Sequence, residues 1–89
     1  MAYLIKASGE KIQTSPRNKK NFTLEELQAY VGGRIQIVKT KDDKRLMVIN
    51  EEGKLFKLAP NFRATELYEY GCDDMVVGDV LLISKSQII

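Results

Sequence analysis

Six polar residues stand where a ligand could be held: Asn61, Arg63 and Thr65 in one run, Asn50 and Glu52 in a second, and Arg34 behind two glycines. The first run follows Pro60, and Asn61 is a natural N-cap for a helix whose first-turn N–H groups lack helical partners. A phosphate placed there would gain those N–H bonds and the fork of the Arg63 guanidinium. The same residues equally suit a capped surface helix with a solvated arginine. Asn50-Glu51-Glu52-Gly53 leaves an apolar strand, so Asn50 and Glu52 can meet a ligand or a second subunit. They can also close a hairpin turn by bonding local backbone. Gly32-Gly33-Arg34 follows a helix, whose C-terminal carbonyls repel anions. The glycines are therefore a C-cap, and Arg34 reaches an anion only from elsewhere in the fold. Arg17-Asn18-Lys19-Lys20 precedes the first helix and reads as a basic loop.

Catalytic chemistry finds few instruments in this chain. It has no histidine, which removes Ser-His-Asp and Cys-His nucleophiles and imidazole acid–base work. Its one cysteine, Cys72, allows neither an intrachain disulfide nor a Cys-rich metal site, and no base stands by to activate it. The pairs Asp42-Asp43, Glu51-Glu52 and Asp73-Asp74 lack calcium-loop spacing and have the composition of turns. No catalytic residue, metal ligand or cofactor is expected. Tyr3, Tyr30, Tyr68 and Tyr70 have rings on which a base could stack, with Tyr68 expected on a buried helix face.

The elements that must position these residues fit in 89 residues and 10.1 kDa, one domain spanning residues 1–89. Hydrophobic residues make up 44% and charged residues 29%, a globular balance. The longest apolar runs, Leu46–Ile49 and Val80–Ile83, are far short of the ~20 residues of a membrane span. Met1–Lys6 does not read as a signal peptide, and a cytoplasmic location is expected. Residues 1–45 carry ten Lys/Arg against five Asp/Glu, and residues 46–89 four against seven, leaving +2 overall. That asymmetry suits ligand capture or head-to-tail packing, and also a solvated surface. A pI near 8.7 is a weaker basic excess than a nucleic-acid domain carries.

Thr23-Leu24-Glu25-Glu26 is a capping box, and Phe22 with Leu27 forms a hydrophobic staple. Leu24, Leu27 and Val31 then give a helix one apolar face, which Gly32 and Gly33 terminate. A second helix starts at Asn61, presents Ala64, Leu67 and Tyr68 on one face, and is expected to stop at Gly71. Strands are expected over 2–7, 10–14, 34–40, 45–50, 54–58 and 76–84, with Gly78-Asp79 as a turn or bulge. The order ββαβββαβ is an α+β domain on an antiparallel sheet of five to six strands.

Residues 46–49 and 80–83 are apolar at successive positions, so both faces of those strands require cover. Two short helices would shield about one face, leaving the other to close as a barrel or to pack on a second subunit. Ile88-Ile89 adds apolar surface. A homo-oligomer is the expectation.

Several stretches together resemble a named family. Phe22–Gln28, Val31-Gly32-Gly33 and Ile35–Val38 are similar to the front half of domain-of-unknown-function family 3846. Ile49-Asn50-Glu51-Glu52-Gly53-Lys54-Leu55 resembles its central motif. Pro60-Asn61, Ala64-Thr65 and Val77–Leu81 resemble its final third, so the likeness runs over residues 3–84. The resemblance implies a small domain of bacteria, plasmids and phages, hence mobile-element biology, and supplies no catalytic residues. The expectation that combines these readings is a non-catalytic, oligomeric binding protein. It would sequester an anionic small molecule, such as a host nucleotide signal, as a counter-defence sponge. The alternative is an inhibitor or adaptor that lays an apolar face on a host protein.

Overall fold

In the computed structural model, which describes residues 2–87, two hairpins flank a central strand. The first pairs β1 (Ala2–Ile5) with β2 (Lys11–Thr14), and the second pairs β3 (Ile35–Lys39) with β4 (Arg45–Asn50). The last strand, β5 (Val80–Ser84), inserts between β1 and β4, giving an antiparallel sheet in the order β2-β1-β5-β4-β3. Helix α1 (Leu24–Val31) joins the hairpins, and α2 (Phe62–Leu67) joins β4 to β5. The α+β class, the antiparallel sheet and both helices agree with the sequence reading.

Register explains where the core lies. Leu4, Leu81 and Val48 are paired neighbours across three strands and face α1, where they meet Phe22, Leu27 and Val31. Tyr3, Leu82 and Met47 are the next row and face the opposite side. There Ile5, Met47, Val80 and Leu82 pack with Ala64 of α2 and with Val76. The two helices therefore lie on opposite faces of the sheet. This corrects the sequence argument that one face must close as a barrel or meet another subunit, because this chain covers the central strands on both sides. The sheet is open, with β2 and β3 at its edges. Ile88-Ile89, the other motive for self-association, lie outside the described residues.

Helix α1 forms as its sequence dictates. The Thr23 hydroxyl accepts from Glu26 N at 3.2 Å, the Glu26 carboxylate accepts from Thr23 N at 3.1 Å, and Gly32 caps the far end at φ 80°. The apolar face is narrower than expected, since Leu24 is exposed and Glu26 is buried. Glu26 turns inward because it also accepts from Arg17 N at 3.0 Å, which ties the preceding loop to the helix. That N–H foremost, and the bonds from Thr23, hold its carboxyl below the ordinary glutamate value.

Three elements depart from the sequence reading, the simplest being the last strand, expected from residue 76 but starting at Val80. Residues 54–58, expected as a strand, are turns from Glu51 to Lys57, stitched by Phe56 N donating to Glu52 O and Leu58 N to Gly53 O. The apolar spacing of Leu55, Phe56 and Leu58 imitates a strand, yet Leu55 and Phe56 point into solvent. The observed order is accordingly ββαββαβ. Gly71 does not end α2, which stops at Leu67 when Tyr68 bridges to Thr40 beside β3. Gly71 serves instead a close approach: a Cβ there would lie 1.9 Å from the Thr65 carbonyl oxygen.

Candidate functional site

The six residues singled out by type and spacing divide into builders and surface groups. Asn61 is 1% exposed and spends its whole side chain on the fold. Its Oδ1 accepts from Ala64 N at 3.0 Å, while Nδ2 donates to Ile5 O and Gly78 O, both at 2.9 Å. It is the expected N-cap, and it also locks α2 to the ends of β1 and β5. Thr65 donates to Asn61 O at 2.7 Å and accepts from Val76 N at 2.9 Å. Asn50 is buried at the end of β4, donating to Val31 O at 3.1 Å and accepting from Glu52 N at 2.8 Å. It thus caps the carbonyl end of α1 from the neighbouring strand β4.

Arg34 and Arg63 are exposed and Glu52 half-buried, and none of their side chains has a hydrogen bond or ion pair among the described residues. No shared site gathers the six. The start of α2 does not hold an anion in the expected way, because Asn61 fills the cap and Phe62, which opens the helix, faces solvent. Buried asparagines at element ends are legible as caps, but the carbonyls to which their amides donate lie 17 to 56 residues away and no local pattern announces them.

Three other features emerge. The first is an exposed apolar run: Leu55 is 72%, Phe56 60% and Phe62 65% exposed. Lys57 and Arg63 stand beside it without acidic partners among the described residues. The second is a cleft of about 150 Å³ between the β3–β4 hairpin and residues 74–77. Val38 and Ile49 line its sheet side, Val76 and Val77 the other, and Lys54 paired with Asp74 stands at its rim. Asn61 and Thr65 hold the covering segment in place, since Asn61 N donates to Val76 O at 2.8 Å and Thr65 receives Val76 N.

The third feature is a cationic and aromatic row on the same sheet face. Lys11 Nζ lies 4.4 Å from the Tyr3 ring centroid and the Arg45 guanidinium 6.0 Å from it. Arg45 also borders a hollow of about 300 Å³ lined by Thr40, Lys41, Asp42, Leu67 and Leu82. Asp42 meets Arg45 only loosely, at 3.7 Å from Nε. Sequence reading noted Tyr3 as a stacking ring but had no way to place two cations beside it. Tyr68, expected in the core, is half-buried against it and meets Tyr70 edge-on at 5.8 Å between centroids.

Among the described residues no helix is long and apolar enough to cross a membrane. No curated protein and no solved structure matches the chain. The profile of the family described as domain of unknown function (DUF3846) matches residues 1–87, nearly the whole chain, and the protein belongs to that family.

Proposed function

We propose that this is a non-catalytic protein-binding inhibitor or adaptor, acting in the cytoplasm for a phage or other mobile element, that docks through Leu55, Phe56 and Phe62. The observation that carries it is their exposure of 60% or more in one short run. Fully burying one such side chain is worth about 1.5–3 kcal/mol, so leaving three in water is unusual for a small monomer. Lys57 and Arg63 beside them favour a partner surface that is apolar with acidic residues around it. The anion-binding motive weakens in comparison, since Asn61 and Thr65 are committed to the fold and both sheet faces are covered without a second subunit.

The test is a variant carrying Leu55→Ser, Phe56→Ser and Phe62→Ser. Its Tm and circular dichroism should match the parent because the three side chains pack little within the fold. A partner recovered from host lysate, then purified, should bind the parent saturably at one to one and bind the variant at least tenfold more weakly. Equal binding by both proteins refutes this docking surface.

The second reading, sequestration of a nucleotide-like anion, is favoured by the row of Lys11, Tyr3 and Arg45 beside the hollow. A ring and a phosphate group fit that chemistry. Native mass spectrometry with a nucleotide panel checks it and reports the oligomeric state at once. Nucleotide-sized mass on the parent, lost in Arg45→Ala, supports it, and no added mass across the panel removes it.

A further inference from the structure

The cleft beneath residues 74–77 plays no part in the proposed docking surface, and its chemistry points to a different occupant. Its volume of about 150 Å³ is that of a cavity able to take up one small molecule. The interior surfaces from Val38, Ile49 and Val77 are apolar. Its rim carries one ammonium group, Lys54, and two carboxylates, Glu51 and Asp74. Lys54 and Asp74 already pair with each other there, while Glu51 and the Gln36 amide have no side-chain partner among the described residues. Both members of the pair are about half exposed, and an ion pair of that kind contributes little to stability. Parting it therefore costs the fold little.

We propose that the cleft binds a small zwitterion with an apolar side chain, of the size and chemistry of a free valine or leucine. Its carboxylate takes the place of Asp74 at the Lys54 ammonium, and its own ammonium takes the place of Lys54 at Asp74, with Glu51 adding a second negative charge. One ion contact becomes two, and the apolar side chain leaves water for the surfaces of Val38 and Ile49. The two carboxylates at the rim oppose the phosphates of a nucleotide.

The experiment is a titration of the whole chain, followed by amide chemical shifts. L-valine and L-leucine should give saturable shifts at Gln36, Ile49, Lys54 and Val77. Glycine, which has the charges alone, and N-acetylvaline methylamide, which has the side chain alone, should each leave those amides unmoved up to the same concentration. The parent exchanges its own ion pair for two contacts, so a variant carrying both Lys54→Met and Asp74→Asn loses the net contact and should bind more weakly by up to about fivefold. Its remaining amide shifts serve as the check that it folds. Absence of saturable shifts, equal shifts with the uncharged analogue, or unchanged affinity in the double variant overturns the proposal. None of these results depends on the fate of Leu55, Phe56 and Phe62.

Discussion

The two faces of the sheet are covered by different means. On one, α1 brings Leu27 and Val31 onto Leu81, Val48 and Ile83, and Phe22 is sealed beneath them with its ring edge-on to Tyr30 at 6.0 Å. Its Thr23 and Gly32 caps are local, Asn50 of β4 adds one bond to Val31 O, and the rest of its hold on the sheet is apolar contact. On the other face, α2 has six residues and only Ala64 fully buried among them. It is tied by the Asn61 amide, which donates to the Ile5 and Gly78 carbonyls, and by the Thr65 hydroxyl, which accepts from Val76 N. The difference teaches how each face should answer a local loss. A helix keyed in by interlocking apolar side chains passes a defect on through the core. A helix hung from a few directional bonds can loosen together with its near neighbours, and the cleft at residues 74–77 lies on that side.

Substitutions that attack each mode of attachment test this contrast. The largest effect is expected from Phe22→Ala, which empties a sealed site on the α1 face and should cost about 3–5 kcal/mol in denaturant unfolding. Its loss should be global, lowering hydrogen-exchange protection in every strand. Next comes Asn61→Ala, which removes the cap and leaves the Ile5 and Gly78 carbonyls without their donor, at roughly 3 kcal/mol. Here protection should fall first at residues 75–78 and in α2, while α1 keeps its own. If Asn61→Ala instead lowers all amides together, the α2 face is no more independent than the other.

A smaller effect follows from Thr23→Ala, about 1 kcal/mol by loss of the N-cap hydroxyl. The pH dependence of α1 should follow Glu26. Its carboxyl is lowered in the fold, so the stabilisation it gives is complete above its ordinary value of 4.5 and is lost as pH falls through the lowered value. Glu26→Gln should flatten that part of the acid limb of Tm against pH, and an unchanged limb would show that the buried carboxylate is not stabilising. The smallest effect belongs to Leu24→Lys, within about 0.5 kcal/mol, because Leu24 lies outside the apolar face. A large loss there would mean that α1 packs more widely than its buried residues indicate.

How much of this was legible follows the same division. Thr23, Glu26 and Gly32 announce α1 because each cap partner lies within a few residues, and Arg45–Asn50 reads as a strand to the residue. Asn61 announces the start of α2 for the same reason. Which face each helix crosses is decided by register across β5, and no window of sequence carries that. Leu55 and Phe56 mislead because strand patterning assumes that apolar residues are buried. Gly71 misleads because its role, the approach of the Thr65 carbonyl, comes from a chain fold-back and not from a helix end. For the candidate site the lesson is sharper. Asn50, Asn61 and Thr65 are correctly marked as unusual, but their work is internal, and the pairing of Lys54 with Asp74 spans 20 residues.

The position of β5 has a consequence for synthesis. Both hairpins are complete by Asn50, and each can pair while the following residues are still being added. Yet no strand pairing links them until Val80–Ser84 arrives to bond β1 on one side and β4 on the other. The nascent chain therefore waits as two hairpins tied through α1 with two unpaired inner edges, and closes into one sheet in a late step dominated by long-range contacts. A chain halted short of Val80 would not be a slightly smaller version of this protein, but two ribbons linked only through α1 and exposing strand edges to whatever lies nearby.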